Sequence, residues 1–448
     1  MRVMKWSMIA LAVTAASSQL ATAAPFVSDQ AEAKGFVEDA KLTETLKNYY
    51  FNRDNKNGGH DQKDWTQGFL GNFTSGYTQG TVGVGIDAFG YLAVKLDGGD
   101  GTSGTGNMSR SNAVKANGYA HDVNDSQGKA GAAIKFRISK TELKIGDQQP
   151  TTAPVFAIGG SRILPQTASG FQLQSSEIKD LDLEAGHFYS ATSQDKNARE
   201  GGLYATYAGV EAKSIDYFGG KYGITDNLTA SLYGAKLEDI WNQYYANVNL
   251  TTPFGGDTSL NTDFNIYRTT DTGSAKAGDI SNTTFSLATA LSFLKAHTFT
   301  LAFQKVNGDT PFDYIGVGKN NRGGDSIFLA NSIQYSDFNG AGEKSLQARY
   351  DLKMAEYGVP GLSFMVRYVK GWDIDGTHTP AGSSYAGLYG EDGKHHETNF
   401  EAKYVVQSGP AKDLSFRIRQ AWHVANADEG EGDVKEFRLI TEYPLNIL

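Results

Sequence analysis

No cysteine occurs in these 448 residues, and there are only ten prolines and eight histidines. A long exported chain without thiols does not suit an extracellular disulfide scaffold, but it crosses an oxidising compartment without forming wrong pairings. After Ala23 no run of about 18 apolar residues appears, which excludes a helical membrane protein. An excess of positive charge is missing too. The formal charge is −9, and without Arg2 and Lys5 it falls to −11. That acidic balance argues against nucleic acid as a partner.

The first residues do have a pattern. Arg2 and Lys5 precede the mostly apolar run Met8 to Ala16, and Ala21-Thr22-Ala23 fits the small-x-small cleavage rule. Residues 1–23 are therefore expected to be a cleaved secretory signal peptide, leaving 24–448 as one unit. An uncleaved anchor is the alternative, but the apolar run is about half the ~20 residues a spanning helix needs.

Glycine and aromatics are abundant: 52 Gly, 23 Tyr and 24 Phe, at a mean hydropathy of −0.40. Strands with one face to lipid and the other to water produce this composition. Apolar residues alternate with polar ones over short segments bounded by Gly, Asn, Asp and Ser. Phe285, Leu287, Leu291 and Phe293 share a face opposite Ser286, Ala288, Ala290 and Ser292. Phe299, Leu301 and Phe303 oppose Thr298, Thr300 and Ala302, and Leu362, Phe364, Val366 and Tyr368 oppose Ser363, Met365 and Arg367. Short links such as 357–361 and 408–413 alternate with long polar stretches such as 372–394. The fold class is all-β, a transmembrane antiparallel barrel. At about two dozen residues per strand and connection, its strand number falls in the high teens. The last residues, Tyr443 to Leu448, read as a barrel-closing strand.

The inward faces of the C-terminal strands carry cations. Arg417 and Arg419 oppose Leu414, Phe416, Ile418 and Trp422; Lys403 and Glu401 oppose Phe400, Ala402 and Tyr404; Arg438 lies between Phe437 and Leu439. Arg349 and Arg367 lie on polar faces by the same count. Stacked cations would form a track of weak sites for a carboxylate. The competing reading is ordinary interior charge, balanced by Glu401, Asp351 and Glu442.

Several runs are similar to one family. They are 26–36 (FVSDQAEAKGF), 48–54 (NYYFNRD), 64–69 (DWTQGF), 159–166 (GGSRILPQ) and 393–399 (GKHHETN). Almost the whole chain after residue 23 resembles the OprD family of substrate-specific outer-membrane porins, and is closest to its basic-amino-acid type. The resemblance implies about eighteen strands and long external loops folded inward to form a constriction, with one pore per chain as a monomer or loose trimer. It implies a basic ladder, on this chain Arg162, Lys403, Arg417, Arg419 and Arg438, and a constriction with Tyr207, Tyr314, Asp325 and Asp337. It further implies outer-membrane lipid as surroundings, the barrel-assembly machinery as a partner during insertion, and small charged solutes as cargo. Basic amino acids, small peptides containing them and carbapenem antibiotics head that cargo; other small carboxylates such as aromatic acids are the alternative. Stretches 97–127 and 372–388 do not match the family, and loops of that kind tune specificity.

Enzymatic readings are weaker. Ser326 in Gly323-Gly324-Asp325-Ser326, with His187 and Asp239, has the chain order of one serine-protease fold. Triads are defined by geometry, however, and Ile327-Phe328 follow the serine where two glycines belong. His395-His396-Glu397 resembles a metal motif, but neighbours in a strand point to opposite faces. No cofactor and no metal are expected. Gly83-x-Gly85 lies in a strand pattern without a following helix, so it does not read as a dinucleotide site.

Overall fold

In the computed structural model, residues 25–98, 101–114 and 121–448 are described. The expected signal peptide, 1–23, lies outside them.

Alternation of apolar and polar residues gives long strands: β1 (Lys41–Asn55), β2 (Gln62–Thr74), β3 (Gly83–Asp97), β4 (Ser126–Ile138), β5 (Thr141–Gln148) and β6 (Thr167–Ile178). They continue with β7 (Leu181–Thr192), β8 (Ile215–Thr225), β9 (Leu228–Leu237), β10 (Trp241–Gly255), β11 (Thr258–Asp271) and β12 (Ser281–Phe293). The last six are β13 (His297–Asn307), β14 (Lys344–Lys353), β15 (Leu362–Ile374), β16 (Gly393–Val405), β17 (Ser415–Ala425) and β18 (Val434–Asn446). Together they form one 18-stranded antiparallel sheet. β18 pairs with β1 from Thr43↔Asn446 to Asn55↔Val434, so the sheet closes on itself and has no free edge. The strand number and the closing strand expected from sequence are both observed.

Outward positions are the apolar ones. Phe416, Ile418, Trp422, Leu287, Leu301, Val366 and Tyr368 are exposed on the wall, as alternation predicts for a lipid-facing band. Outward aromatics gather near strand ends, at Tyr189, Tyr244 and Trp422 on one side and Tyr222, Phe254 and Tyr404 on the other. One end of the barrel has tight turns, among them 139–140, 179–180, 226–227 and 256–257. The other end has the long connections 149–166, 193–214, 308–343 and 375–392.

Those long connections fold into the lumen. Segments Leu203–Ala205, Val210–Ala212, Ile315–Val317 and Arg322–Gly323 make a small inner sheet. An apolar core forms where this sheet meets the inner wall of β7 to β13: Phe156, Phe188, Tyr217, Trp241, Tyr245, Tyr267, Phe312 and Tyr314 pack together. Ring centroids lie 4.7 Å apart for Tyr245–Tyr267 and for Tyr267–Phe312. An empty 18-stranded barrel would be a wide pore. Here inward connections pack against β7 to β13 and, through Met108, Ile163 and Leu164, against β1 and β3.

Candidate functional site

The inner faces of β14 to β18 and β1 carry the cations, and their register brings these together. Lys403 stands opposite Arg417, and Arg419 opposite both Glu401 and Arg438. Arg438 is opposite Phe51, Arg349 opposite Arg367, and Arg367 opposite Asn399. Arg162 comes from the inward connection 149–166. Lys47 Nζ donates to its carbonyl at 2.8 Å and Tyr49 hydroxyl donates to Ser161 O at 3.2 Å, which ties this connection to β1. Arg162 Nε donates to Thr105 O at 2.7 Å. Asp64 of β2 holds that segment in turn, accepting from Thr105 Oγ1 and, at 2.9 Å, from Asn107 Nδ2.

Phe51 is the hub of the row. The guanidinium carbons of Arg162, Arg438 and Arg53 lie 5.2, 5.3 and 5.4 Å from its ring centroid. A ring face stabilises a nearby cation without neutralising it, so three like charges are brought together and keep their attraction for anions.

Carboxylates offset part of this charge. Glu401 pairs with Arg417 at 2.7 Å and Arg419 at 3.2 Å, and Glu436 with Arg53 at 2.5 Å and Arg438 at 2.6 Å. Asp351 pairs with Arg349 at 2.7 Å and Glu442 with Lys47 at 3.1 Å. The interior ion pairs envisaged from sequence therefore exist, and some of the cations stand outside them. Four arginines share two carboxylates. Among the described residues Arg162, Arg367 and Lys403 form no ion pair, and Arg417 Nε makes no hydrogen bond. Arg367 is held by a neutral partner, donating from Nε and Nη2 to Asn399 Oδ1 at 2.9 and 2.7 Å.

The connection 308–343 carries the acidic groups, and its residues 331–336 hydrogen-bond to the inner faces of β14, β16 and β18. Tyr207 and Tyr314 hydroxyls each donate to Asp337 Oδ2 at 2.9 Å, and Ser332 Oγ to Oδ1 at 2.6 Å. Burial holds both phenols well above their ordinary range, so they stay donors. Asp325 accepts from the Gly160 backbone, two residues from Arg162. Burial, with Asp337 nearby, pushes its carboxyl up to about 6 although Arg162 pulls the other way. The four constriction residues expected from the resemblance thus lie in one place, with two of them on a single carboxylate.

Ser326 belongs to the scaffold of this loop. Fully buried, it accepts from Ala157 N at 2.7 Å and donates to Ala157 O at 3.0 Å. His187 lies on the outer face of β7, with Nδ1 at 2.7 Å from Asp216, and Asp239 pairs with Lys276 at 3.3 Å. The protease-like triad is not assembled, because each member is engaged elsewhere. His396 points outward and His395 inward, as strand geometry requires.

Sequence reasoning missed Asp313, Arg53 and Glu436. Arg53 and Glu436 were within reach, since Glu436 lies two residues before Arg438 and so shares its face. Asp313 had no periodic signal. It accepts from Tyr207 N, Ala208 N and Tyr314 N at 2.9, 3.0 and 2.8 Å and from Tyr385 hydroxyl at 3.0 Å.

Comparison with known proteins matches this architecture. The chain matches the description outer membrane porin, OprD family, over residues 34–447. It is 66% identical over 452 residues to Porin D of Pseudomonas aeruginosa PAO1, covering all of both chains. It is 34% identical to the porin-like protein GalP of Pseudomonas putida KT2440, over 94% of this chain and 95% of that one. A crystal structure of Pseudomonas aeruginosa OprD superposes with a TM-score of 0.83 at 64% identity, covering 95% of this chain and 100% of that one. Pseudomonas aeruginosa OpdK, crystallised with vanillate, gives 0.80 at 34% identity, over 92% and 100%. With a closed barrel, inward loops and these relatives, the chain belongs to the OprD family of outer-membrane porins and is a substrate-specific channel of the outer membrane that passes small solutes.

Proposed function

We propose that this porin selects small solutes bearing both a carboxylate and a cation, above all basic amino acids and short peptides containing them, with carbapenems following the same route. The carrying observation is the charge arrangement: a row of under-compensated cations on the wall, with Asp325 and Asp337 on the inward connection 308–343. Arg162, Arg438, Arg419, Arg417 and Lys403 pass the carboxylate between weak sites, so that it can both enter and leave. Arg349 and Arg367 extend this field. Asp325 and Asp337, with Tyr207 and Tyr314 orienting the latter, receive the ammonium or guanidinium at the other end.

A second reading, small aromatic carboxylates, is favoured by one observation: the relative OpdK was crystallised with vanillate. Such a solute would use the basic wall and leave the acidic side idle. We read the chain as a channel without hydrolase activity, exported by residues 1–23, inserted by the barrel-assembly machinery and working as one pore per chain.

Uptake of labelled arginine, glutamine and benzoate into porin-free cells expressing the protein separates the readings. Arginine is expected to lead. Arg417→Ala with Arg419→Ala should weaken half-saturation for all carboxylates about tenfold or more, since one lost charge-assisted bond is worth about 1.5 kcal/mol. Equal uptake of benzoate and arginine, or no effect of the double substitution, would sink the proposal.

A further inference from the structure

A separate cluster lies at the long-loop end of the barrel, outside the solute row. His395 near the start of β16 and His423 near the end of β17 are diagonal neighbours on the inner face, because Glu397 stands opposite His423 and His395 opposite Ala425. Both imidazoles are buried, and the Phe338 ring lies 4.1 Å from that of His395. The connection 426–433 turns Glu429 and Glu431 towards them. Gly430 and Gly432, at φ +94° and +75°, take backbone conformations that other residues adopt only with strain. Those two turns are what point successive carboxylates of Glu-Gly-Glu-Gly inward.

The hydrogen bonds determine which ring nitrogens are bare. His423 Nδ1 lies 2.8 Å from Gly432 O, which can only accept, so Nδ1 carries the hydrogen and Nε2 a lone pair in the neutral ring. His395 Nε2 lies 2.8 Å from Glu343 Oε1; with Glu343 ionised, as when a cation occupies the cluster, Nε2 donates to it and Nδ1 is bare. The two bare nitrogens then face each other at 2.9 Å. Lone pairs held at that distance repel unless something positive lies between them. Glu429 Oε1 is 3.4 Å from His395 Nδ1 and Glu431 Oε2 is 3.5 Å from His423 Nε2. Glu431 Oε2 is buried without a hydrogen-bond partner. Among the described residues no lysine or arginine pairs with Glu343, Glu429 or Glu431.

We propose that His395, His423, Glu429 and Glu431 bind one divalent transition-metal ion of the zinc class. Their donor atoms all lie within 4.8 Å of one another. A tetrahedral zinc with bonds of about 2.0–2.1 Å places its ligands about 3.3 Å apart, so small side-chain shifts suffice. Two imidazoles and two carboxylates suit this class, and the ion's charge balances the two ligand carboxylates. Glu343 and Gly432 O fix the imidazole tautomers from behind, the arrangement that orients histidine ligands in metal sites. Bound metal ties the connection 426–433 to β16 and β17 and so stiffens the mouth. Adjacency had directed attention to His395-His396; the pairing that matters spans 28 residues and exists only through strand register.

The test uses untagged full-length protein refolded in detergent free of lipopolysaccharide, equilibrated with Zn²⁺, with metal content measured after gel filtration and affinity by competition with a chromophoric chelator. One zinc per chain is expected, and none in His423→Ala. Glu431→Gln, which keeps the packing, should also lose it, and His396→Ala should bind as wild type. Glu343→Gln should keep the stoichiometry while weakening affinity about 10–100-fold. Heat-modifiable gel mobility verifies that each variant forms a barrel. Less than about a tenth of a zinc per chain, or equal binding in folded His423→Ala and Glu431→Gln, overturns the proposal and leaves the imidazoles sharing a proton instead.

Discussion

Glu401 sits between two arginines of the basic wall. One carboxylate oxygen serves both Arg417 and Arg419, at 2.7 and 3.2 Å. Each arginine therefore has less compensation than an ordinary ion pair supplies. Glu401→Gln keeps the shape and removes the charge, which frees both guanidiniums towards the path. The reversal potential under a KCl gradient in planar bilayers should move towards the chloride limit. The shift should be larger at 0.1 M than at 1 M salt, because the screening length falls from about 10 Å to about 3 Å. Arg419→Gln should shift it the other way. An unchanged reversal potential in Glu401→Gln would mean that the wall charges do not set selectivity.

Strands and connections differ in how much of them local sequence can reveal. A period of two decides which residues of β16 to β18 face the path, so Lys403, Arg417, Arg419 and Arg438 could be located from spacing alone. Register is a pairwise property, and the meeting of Arg419 with Arg438, or of His395 with His423, needs the pairing of two strands. Loops have no period at all. Arg162, Tyr207 and Asp337 became visible through resemblance, and Asp313 through neither route. Its carboxylate gathers two backbone N–H groups of the connection 193–214, one of its own connection and the hydroxyl of Tyr385 from 375–392. Both oxygens accept twice. Asp313→Asn leaves one oxygen and turns an amide towards two donors, so at least two buried bonds are lost, each costing about 1–3 kcal/mol. The inner loops should loosen while the barrel stays intact. Single-channel recordings should show higher and noisier conductance, with unchanged heat-modifiable gel mobility. A quiet channel of wild-type conductance would show that this clamp does not hold the constriction.

For the whole molecule, a cationic inner wall and acidic groups on the connection 308–343 mean, on the proposed route, that a solute meets both signs of charge. Asp325 changes charge near pH 6, because burial pushes its carboxyl up to about that value. At pH 7.5 it is ionised, as its proposed role in receiving a cationic side chain requires. At pH 5 a group titrating near 6 is about nine-tenths protonated, so that attraction is mostly gone. The sign is therefore a loss of preference for cation-bearing solutes as pH falls through about 6, with little change for solutes that offer only a carboxylate. Arginine and glutamine share the same α-carboxylate and α-ammonium, so the ratio of their fluxes isolates the side-chain contribution. In proteoliposomes that ratio should fall between pH 7.5 and pH 5. In Asp325→Asn it should start low and stay flat. A wild-type ratio that does not change with pH, or an Asp325→Asn channel that keeps the wild-type profile, would exclude Asp325 as the group that reads the cation, leaving Asp337 to be tested in the same assay.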